Sequence, residues 1–264
     1  MLDVSAYLAR IGYDGPVAPT LSVLQDLHLA HLRRVPFENL DIHLGRPVSL
    51  AEEDLYAKVV KRRRGGFCYE LNGLLAALLR EMGYEVTLLA AQFPLPDGRD
   101  PIEFDHLVLR VAAPGMAAVL ADVAGGRNGF VSPLAIGCDA VQAQPAAGAS
   151  FRLQLEEPDL WLWRQGPAEE WERVYRFTWK PRQLTDFEEG CRYHQTSPDS
   201  GFTRKRICTL LTDDGRVTLA DDLLITTRNG HRHEERLTGD AAWQAALDTH
   251  FGIDLTTERL FEEA

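Results

Sequence analysis

The sequence predicts an α+β fold whose helices and strands are largely segregated along the chain. Apolar residues recur at helical spacing through the first third, whereas from Tyr84 onward strand-like apolar runs alternate with Pro and Gly clusters. A mixed pattern closes the chain. We therefore expect a helical unit at residues 1–83, a β-rich unit at 84–190 and an α/β unit at 191–264.

Two helices of the first unit have clear boundary signals. One begins at a Thr20 or Ser22 cap and ends before Pro36, because the residue preceding a proline disfavours helical backbone. The other follows the pair Gly65–Gly66 and covers residues 68–83, where a glycine ends it.

Three more helices are predicted from charge and capping patterns. Residues 50–64 carry acids in the first turn and bases in the last, and Ser49 and Glu52 have the spacing of a capping box. Helices at 239–252 and 256–264, each after a capping candidate, close the chain.

Strand patterns dominate the middle of the sequence. They occur at residues 84–93, 104–113, 116–124, 151–156, 159–163 and 171–179. A hairpin is predicted around Asp214–Gly215, because Asp-Gly favours tight turns between strands. Residues 142–150, QAQPAAGAS, are low in complexity and predict an exposed loop.

Charge and cysteine usage narrow the class of protein. The formal net charge of −11 argues against a general nucleic-acid binder and against a basic membrane-surface protein. The four cysteines show no CxxC spacing and are too few for a disulfide framework, which favours a reducing compartment. No signal-peptide pattern and no bilayer-length apolar run occur. We expect a cytoplasmic protein, monomeric or homodimeric, with no nucleic-acid or membrane partner.

The stretch RRRGGFCYELNG, residues 62–73, places a single thiol at the start of a predicted helix. At that position the backbone N–H groups and the helix dipole favour a thiolate on Cys68. The preceding glycine pair lets the backbone turn sharply and lets a substrate approach closely. A nucleophilic role competes with the alternative that Cys68 is a small buried hydrophobic residue.

His106 and Asp122 are the candidate base and orienting carboxylate for this thiol. His106 lies in an apolar strand and Asp122 ends another, so adjacent antiparallel strands can bring the two side chains together. Each could instead be structural, His106 as a core histidine with satisfied hydrogen bonds and Asp122 as a turn-capping aspartate. Four more histidines stand in two pairs, His28 with His31 and His231 with His233. Neither pair has further ligands at metal-binding spacing, so we expect surface histidines and no metal site.

Several segments, in order along the chain, match one enzyme family. Residues 64–72 read RGGFCYELN and fit the motif RGGxCxExN, and residues 35–50, VPFENLDIHLGRPVSL, are similar to a PFEN stretch. His106 in DHLVLRV and Asp122 in LADV match a catalytic histidine and aspartate, and TSPDSGFTRKR at 196–206 is similar to a further segment. The chain thus resembles the arylamine N-acetyltransferases over most of its length.

The resemblance implies a helical bundle, a central antiparallel β-barrel-like unit and a C-terminal α/β lid around a papain-like Cys–His–Asp core. It also implies ping-pong transfer without a metal: acetyl-CoA acetylates Cys68, CoA leaves, and an arylamine, arylhydrazine or arylhydroxylamine accepts the acetyl group. His106 and Asp122 would serve as base and orienting carboxylate. The candidates for binding the CoA phosphates are Ser197, Arg204 and Lys205. A solvated basic face is the alternative for the last two.

Four polar residues near the motif have proposed supporting roles. Arg64 and Glu38 are predicted to form an ion pair that anchors the nucleophile turn to the PFEN stretch. For Glu70 and Asn72, a helix-surface position and a bracing role both stay open.

The sequence departs from the family at Gly125, where the family's Val-Gly-Phe-Gly stretch carries an aromatic that helps to line the acceptor pocket. Whether Phe130 compensates stays open. A roomier pocket suits an amide synthase of the same fold acting on a larger acyl substrate, which is the alternative function. A papain- or transglutaminase-type hydrolase and a degenerate member that binds CoA or a small aromatic without turnover also compete with acetyl transfer.

Overall fold

The structure is a computed structural model that describes residues 2–95, 98–99, 101–137, 140–167 and 169–255. The helix predicted at 256–264 lies outside the described residues, as does Cys138. Among the described helices, none combines the length and the apolar character needed to cross a bilayer.

The helices of the described chain lie mostly in its first third and near its end. They are α1 (Val4–Ile11), α2 (Leu21–Arg34), α3 (Leu40–His43), α4 (Glu52–Tyr56), α5 (Cys68–Glu81), α6 (Glu188–Thr196), α7 (Gly201–Arg204) and α8 (Asp240–Phe251). The Thr20 cap of α2 is confirmed, because its hydroxyl accepts a hydrogen bond from the Val23 N–H. The capping box before α4 is wrong: the Ser49 hydroxyl instead accepts from Ala51 N–H at 3.2 Å, and α4 continues as a π-helical turn over Ala57–Lys61.

The strands form two antiparallel sheets. They are β1 (Phe37–Glu38), β2 (Glu85–Gln92), β3 (His106–Ala113), β4 (Met116–Ala121), β5 (Leu134–Ala135), β6 (Gln142–Gln144), β7 (Ala149–Glu156), β8 (Asp159–Gln165), β9 (Glu172–Phe177), β10 (Ile207–Thr212), β11 (Gly215–Ala220), β12 (Leu223–Arg228) and β13 (His231–Arg236). The larger sheet has the order β5-β4-β3-β2-β9-β8-β7-β6, and the smaller has the order β1-β10-β11-β12-β13. The predicted hairpin at Asp214–Gly215 is confirmed as the turn between β10 and β11.

Two glutamine side chains link the outer strands of the larger sheet and nearly close it into a barrel. The Gln142 amide accepts from Ala135 N–H at 2.8 Å and donates to the Ala135 carbonyl at 3.1 Å. Gln144 accepts from Val131 N–H at 2.8 Å and is buried. The exposed loop predicted at 142–150 is wrong at its ends, because residues 142–144 form β6 and pair with β7, which begins at Ala149. Residues 145–148 between the two strands form a largely exposed turn.

The α5 helix is almost wholly buried and packs on the barrel. Alternate residues of β3 contribute to two cores, with Leu107 and Leu109 in the cluster that contains α5 and Val108 inside the barrel. A third cluster joins α8 to the smaller sheet. The α+β class predicted from the sequence is confirmed, whereas the division at residues 83 and 190 and the oligomeric state stay predictions. The packing holds the first turn of α5 against the start of β3, where the candidate site lies.

Candidate active site

The turn before Cys68 is built from two glycines that leave no room for side chains. A Cβ on Gly65 would lie 1.9 Å from the Pro36 carbonyl oxygen, and one on Gly66 would lie 2.7 Å from a Glu70 carboxylate oxygen. The Gly66 carbonyl accepts a backbone hydrogen bond from β1 at 2.9 Å. The PFEN stretch therefore packs directly on the turn that ends at Cys68, the first residue of α5.

Five buried charged side chains, joined to one another by ion pairs, lie beside this turn. Arg64 Nη2 lies 2.9 Å from Glu38 Oε1 and 3.1 Å from Asp41 Oδ1, which confirms the predicted Arg64–Glu38 pair. Lys58 Nζ joins the other side, 2.6 Å from Asp41 Oδ2 and 2.8 Å from Glu70 Oε1. Burial raises the pKa of Glu70 to about 6, although Lys58 opposes the shift. Glu70 is thus a brace within the core and not a surface group.

The three candidate catalytic side chains are all buried, and His106 interacts with both of the others. His106 is the first residue of β3, and Asp122 follows the last residue of β4, so the two antiparallel strands bring them together as predicted. His106 Nε2 donates to Asp122 Oδ2 at 2.9 Å, and a side-chain hydrogen bond joins His106 to Cys68. Burial alone would lower the pKa of His106, but the charge of Asp122 and the contacts with both partners raise it to about 10.

The Asp122 carboxylate has a full set of supporting hydrogen bonds. Asn72 Nδ2 and the Ala124 N–H each donate to Oδ1 at 2.8 Å, and the Tyr175 hydroxyl donates to Oδ2 at 3.3 Å. Burial favours the neutral acid, yet His106 and these donors hold the pKa of Asp122 below its ordinary value. The open alternative for Asn72 is therefore decided: it braces the carboxylate.

His28 supports the Asp122 backbone from α2. Its Nδ1 lies 3.1 Å from the Val131 carbonyl oxygen, and its Nε2 accepts from Asp122 N–H at 3.3 Å. Burial lowers the pKa of His28 to about 4, so the ring is neutral at physiological pH.

The surface position predicted for His28 and His31 is wrong, because both are fully buried. Helix α2 packs between the helical core and the barrel, a double packing that its amphipathic pattern does not reveal. The predicted exposure of His231 and His233 is confirmed on the outer strand β13. Among the described residues, no group of three or more His, Cys, Asp or Glu side chains could hold a metal ion.

The loop after Asp122 explains the departure at Gly125. A Cβ at this position would lie 2.8 Å from the Gly129 Cα and 3.2 Å from Asp122 Oδ2. Phe130 does not supply the missing pocket aromatic, because it is buried inside the barrel core and stacks on His28 at 5.6 Å. The backbones of Gly125 and Gly129 therefore pack against each other beside the Asp122 carboxylate, which leaves no room for a side chain at position 125.

Two aromatic rings pack against His106 that the sequence did not single out. The Phe93 ring centroid lies 5.0 Å from the His106 ring, and the Tyr175 ring lies 5.4 Å away. Both belong to ordinary apolar strand patterns, 13 and 69 residues from His106, so local spacing gives no signal for them. A buried hydroxyl in a strand core was the one available hint for Tyr175.

The three residues predicted to bind the CoA phosphates line three different cavities. Ser197 lies at the end of α6 in a cavity of about 440 Å³, and Arg204 lines one of about 610 Å³ beside Phe93 and Phe202. Lys205 lines the largest of the three, about 730 Å³, which lies between the barrel and the smaller sheet. The first two cavities adjoin, because Ile102 and Tyr193 line both. The three candidates therefore lie in one region of the fold without sharing a single cavity.

A buried thiol, imidazole and carboxylate joined by hydrogen bonds are typical of enzymes that work through a cysteine nucleophile. A family model described as N-acetyltransferase matches residues 20–260. The arylamine N-acetyltransferase of Mycolicibacterium smegmatis is 39% identical over 258 residues, which cover 96% of this chain and 93% of the relative. That of Escherichia coli strain K12 is 32% identical, with 94% and 87% coverage.

Solved structures of such enzymes share the fold. The arylamine N-acetyltransferase of Mycobacterium tuberculosis superimposes with a TM-score of 0.90 at 37% identity, covering 97% of this chain and 96% of that one. The Mycobacterium marinum enzyme in complex with CoA gives 0.89 at 36% identity, with 97% and 94% coverage. This chain belongs to the arylamine N-acetyltransferase family, a family of acyltransferases.

Proposed function

We propose that the protein transfers the acetyl group of acetyl-CoA to an arylamine, arylhydrazine or arylhydroxylamine through a thioester on Cys68. The observation that carries the proposal is the position of His106, which is hydrogen-bonded to both Cys68 and Asp122. With a pKa of about 10, the His106 ring is an imidazolium at neutral pH. Family membership and the CoA complex of a relative support the donor.

In the first half-reaction, the Cys68 sulfur attacks the thioester carbonyl of acetyl-CoA. The new C–S bond forms a tetrahedral oxyanion, which the backbone N–H of Cys68, the first residue of α5, would stabilise. The bond to the CoA sulfur then breaks, and the His106 imidazolium gives its proton to the departing thiolate. One thioester replaces another, so the step is nearly balanced in free energy.

In the second half-reaction, the amine attacks the acetyl carbonyl on Cys68. His106, now neutral, takes a proton from the amine nitrogen as the C–N bond forms, and the bond to the cysteine sulfur breaks. Asp122 stabilises the imidazolium that reappears. An arylamine suits this step because it is largely unprotonated at neutral pH.

The cavity of about 730 Å³ is the proposed place for the CoA phosphates. Arg127, Lys205 and Arg216 line it, and within the described chain no ion pair joins any of these three cations to a carboxylate, although Glu169, Glu170 and Glu172 also line the cavity. Arg216 is half-buried, and among the described residues its side chain has one hydrogen-bond partner, the Thr209 hydroxyl at 3.3 Å. Desolvation lowers its pKa to about 10. A bound phosphate dianion would accept charge-assisted hydrogen bonds from this guanidinium and so compensate for the water that it lost on folding. Ser197 and Arg204 stay predictions for CoA contacts.

The thioester can be tested by mass spectrometry of the intact protein after acetyl-CoA is added without an acceptor. We expect a gain of one acetyl group in the wild type and in Cys191→Ala, a matched control that removes another buried thiol, and no gain in Cys68→Ala. Aniline should then discharge the acetyl group with release of acetanilide. A gain that persists in Cys68→Ala would contradict the proposal.

The phosphate site has a separate test in the choice of acetyl donor. Arg216→Gln should raise the KM for acetyl-CoA about tenfold, the effect of losing one charge-assisted hydrogen bond. It should leave acetylation by p-nitrophenyl acetate, which carries no phosphate, unchanged. An equal loss with both donors would place the defect in the chemistry and not in phosphate binding.

A further inference from the structure

A chain of three polar side chains crosses from the start of β3 to the α6–α7 region. His194 Nδ1 lies 3.0 Å from Ser200 Oγ, and His194 Nε2 lies 3.2 Å from Asp105 Oδ1. His194 and Ser200 are buried, and Asp105 is largely buried. With its proton on Nε2, His194 satisfies every member of this chain, which we call the relay, because Ser200 then donates to Nδ1 and Nε2 donates to Asp105.

Each end of this chain holds the backbone of a phenylalanine. Asp105 Oδ2 accepts from the Phe93 N–H at 3.1 Å, and Ser200 Oγ accepts from the Phe202 N–H at 3.2 Å. The second bond also caps α7. The two phenylalanines lie 109 residues apart in the sequence, so this relay joins segments that no local structure connects.

The two rings line the same cavity of about 610 Å³ and lie beside the candidate catalytic residues. Phe93 packs on His106 at 5.0 Å between ring centroids. Phe202 packs on Phe67 at 5.8 Å, and Phe67 directly precedes Cys68. The cavity therefore has one aromatic wall that packs on the imidazole and another that packs on the residue before the thiol.

His194 is the only member of the relay that touches both of the others, and it packs on a wall itself. Its ring lies 5.2 Å from the Phe202 ring in an edge-to-face arrangement. Removing the imidazole would break two buried hydrogen bonds and one ring contact at once, and it would leave the Asp105 carboxylate with fewer donors. Without these contacts, the distance between the Phe93 and Phe202 rings would no longer be fixed.

We propose that His194 is a positioning residue that sets the spacing between Phe93 and Phe202 and so selects flat aromatic acceptors. The inference rests on the proposed function, because it names the part of the site that chooses the acceptor. Aromatic walls from two segments of one cavity would bury the ring surface of an aniline, whereas a small acceptor without a ring would gain nothing from them. The relay thereby affects the second half-reaction and not the first.

The test separates KM from kcat with two acceptors and one donor. In His194→Leu, the KM for aniline should rise about tenfold, the effect of 1.4 kcal/mol of lost ring binding, while the KM for hydrazine stays unchanged. The rate at which acetyl-CoA acetylates Cys68 should also stay unchanged. His231→Leu, on the exposed strand β13, is the matched control and should behave as the wild type.

A conservative variant protects the test against misfolding. His194→Gln keeps a donor toward Asp105 and should lie between the wild type and His194→Leu in its KM for aniline. Equal rises for aniline and hydrazine, or a slower acetylation of Cys68 with both KM values unchanged, would overturn the inference. A wild type that releases no CoA with aniline would instead overturn the proposed function.

Discussion

Replacing Arg64 with lysine should destabilise the fold far more than it slows acetyl transfer. The Arg64 guanidinium binds two buried carboxylates at once: Nε and Nη2 reach Glu38 Oε1 at 3.1 and 2.9 Å, and Nη2 reaches Asp41 Oδ1 at 3.1 Å. A lysine keeps the charge but has a single ammonium, which cannot reproduce this fork. Lys58 already holds the other oxygen of Asp41, so Glu38 loses most.

The size of the effect follows from the burial of the pair. Removing one partner of a buried ion pair costs about 3–5 kcal/mol, and the lysine charge should keep Arg64→Lys near the lower end. For a chain of this size, 1 kcal/mol lowers the Tm by roughly 2–4 °C, so we expect a fall of about 6–12 °C. Arg33→Lys is the matched control, because its ion pair with Asp213 is exposed and should contribute less than about 1 kcal/mol.

The measurement is thermal unfolding followed by circular dichroism, together with the rate of CoA release well below the Tm of each variant. The predicted pattern is a lower Tm for Arg64→Lys with most of its activity retained. An Arg64→Lys variant that melts with the wild type but releases no CoA would refute the reasoning. Arg64 would then act on the chemistry and not on the fold.

Three further predictions concern the carboxylate of the site. Because the pKa of His106 is raised from 6.5 to about 10, its stabilisation of the fold is fully present below pH 6.5 and is lost as the pH rises through about 10. Urea unfolding should show this decline in the wild type but not in Asp122→Asn. Asn72→Ala leaves buried polar groups unpaired and should cost roughly 1–3 kcal/mol in urea unfolding, with slower acetylation by acetyl-CoA. Gly125→Ala should cost about 1–3 kcal/mol in thermal unfolding, because its Cβ meets the Gly129 backbone, and a neutral result would show that the loop yields.

The features of the site geometry that could be predicted are those that depend on short segments of sequence. The turn before Cys68 needs glycine at two successive positions, and the strand ends that carry His106 and Asp122 show in the apolar periodicity. The Arg64–Glu38 pair followed because both residues flank segments that must meet at the turn.

The parts that were missed depend on contacts between distant segments. His28 contacts the Asp122 backbone although the two residues lie 94 positions apart in the sequence. Gln142 links the two outer strands of the nearly closed barrel, and no sequence pattern indicates that these strands are neighbours. Strand β13 is exposed at all its positions, so it lacks the alternation that marks a strand and forms because β12 offers it an edge. The periodicity of a segment predicts which of its residues are buried, but it does not predict which other element packs on them.

The arrangement around Asp122 suits the proposed mechanism, in which a thioester on Cys68 would have to survive until an amine arrives. Cys68, His106 and Asp122 are 3%, 2% and 1% exposed, so little water reaches the sulfur. Exclusion of water strengthens the imidazolium–carboxylate interaction, but it also makes any unpaired polar atom of the carboxylate costly. The donors from Asn72 and Tyr175 follow from that cost, because a buried carboxylate with fewer partners would take up a proton and the imidazolium would lose its counter-charge.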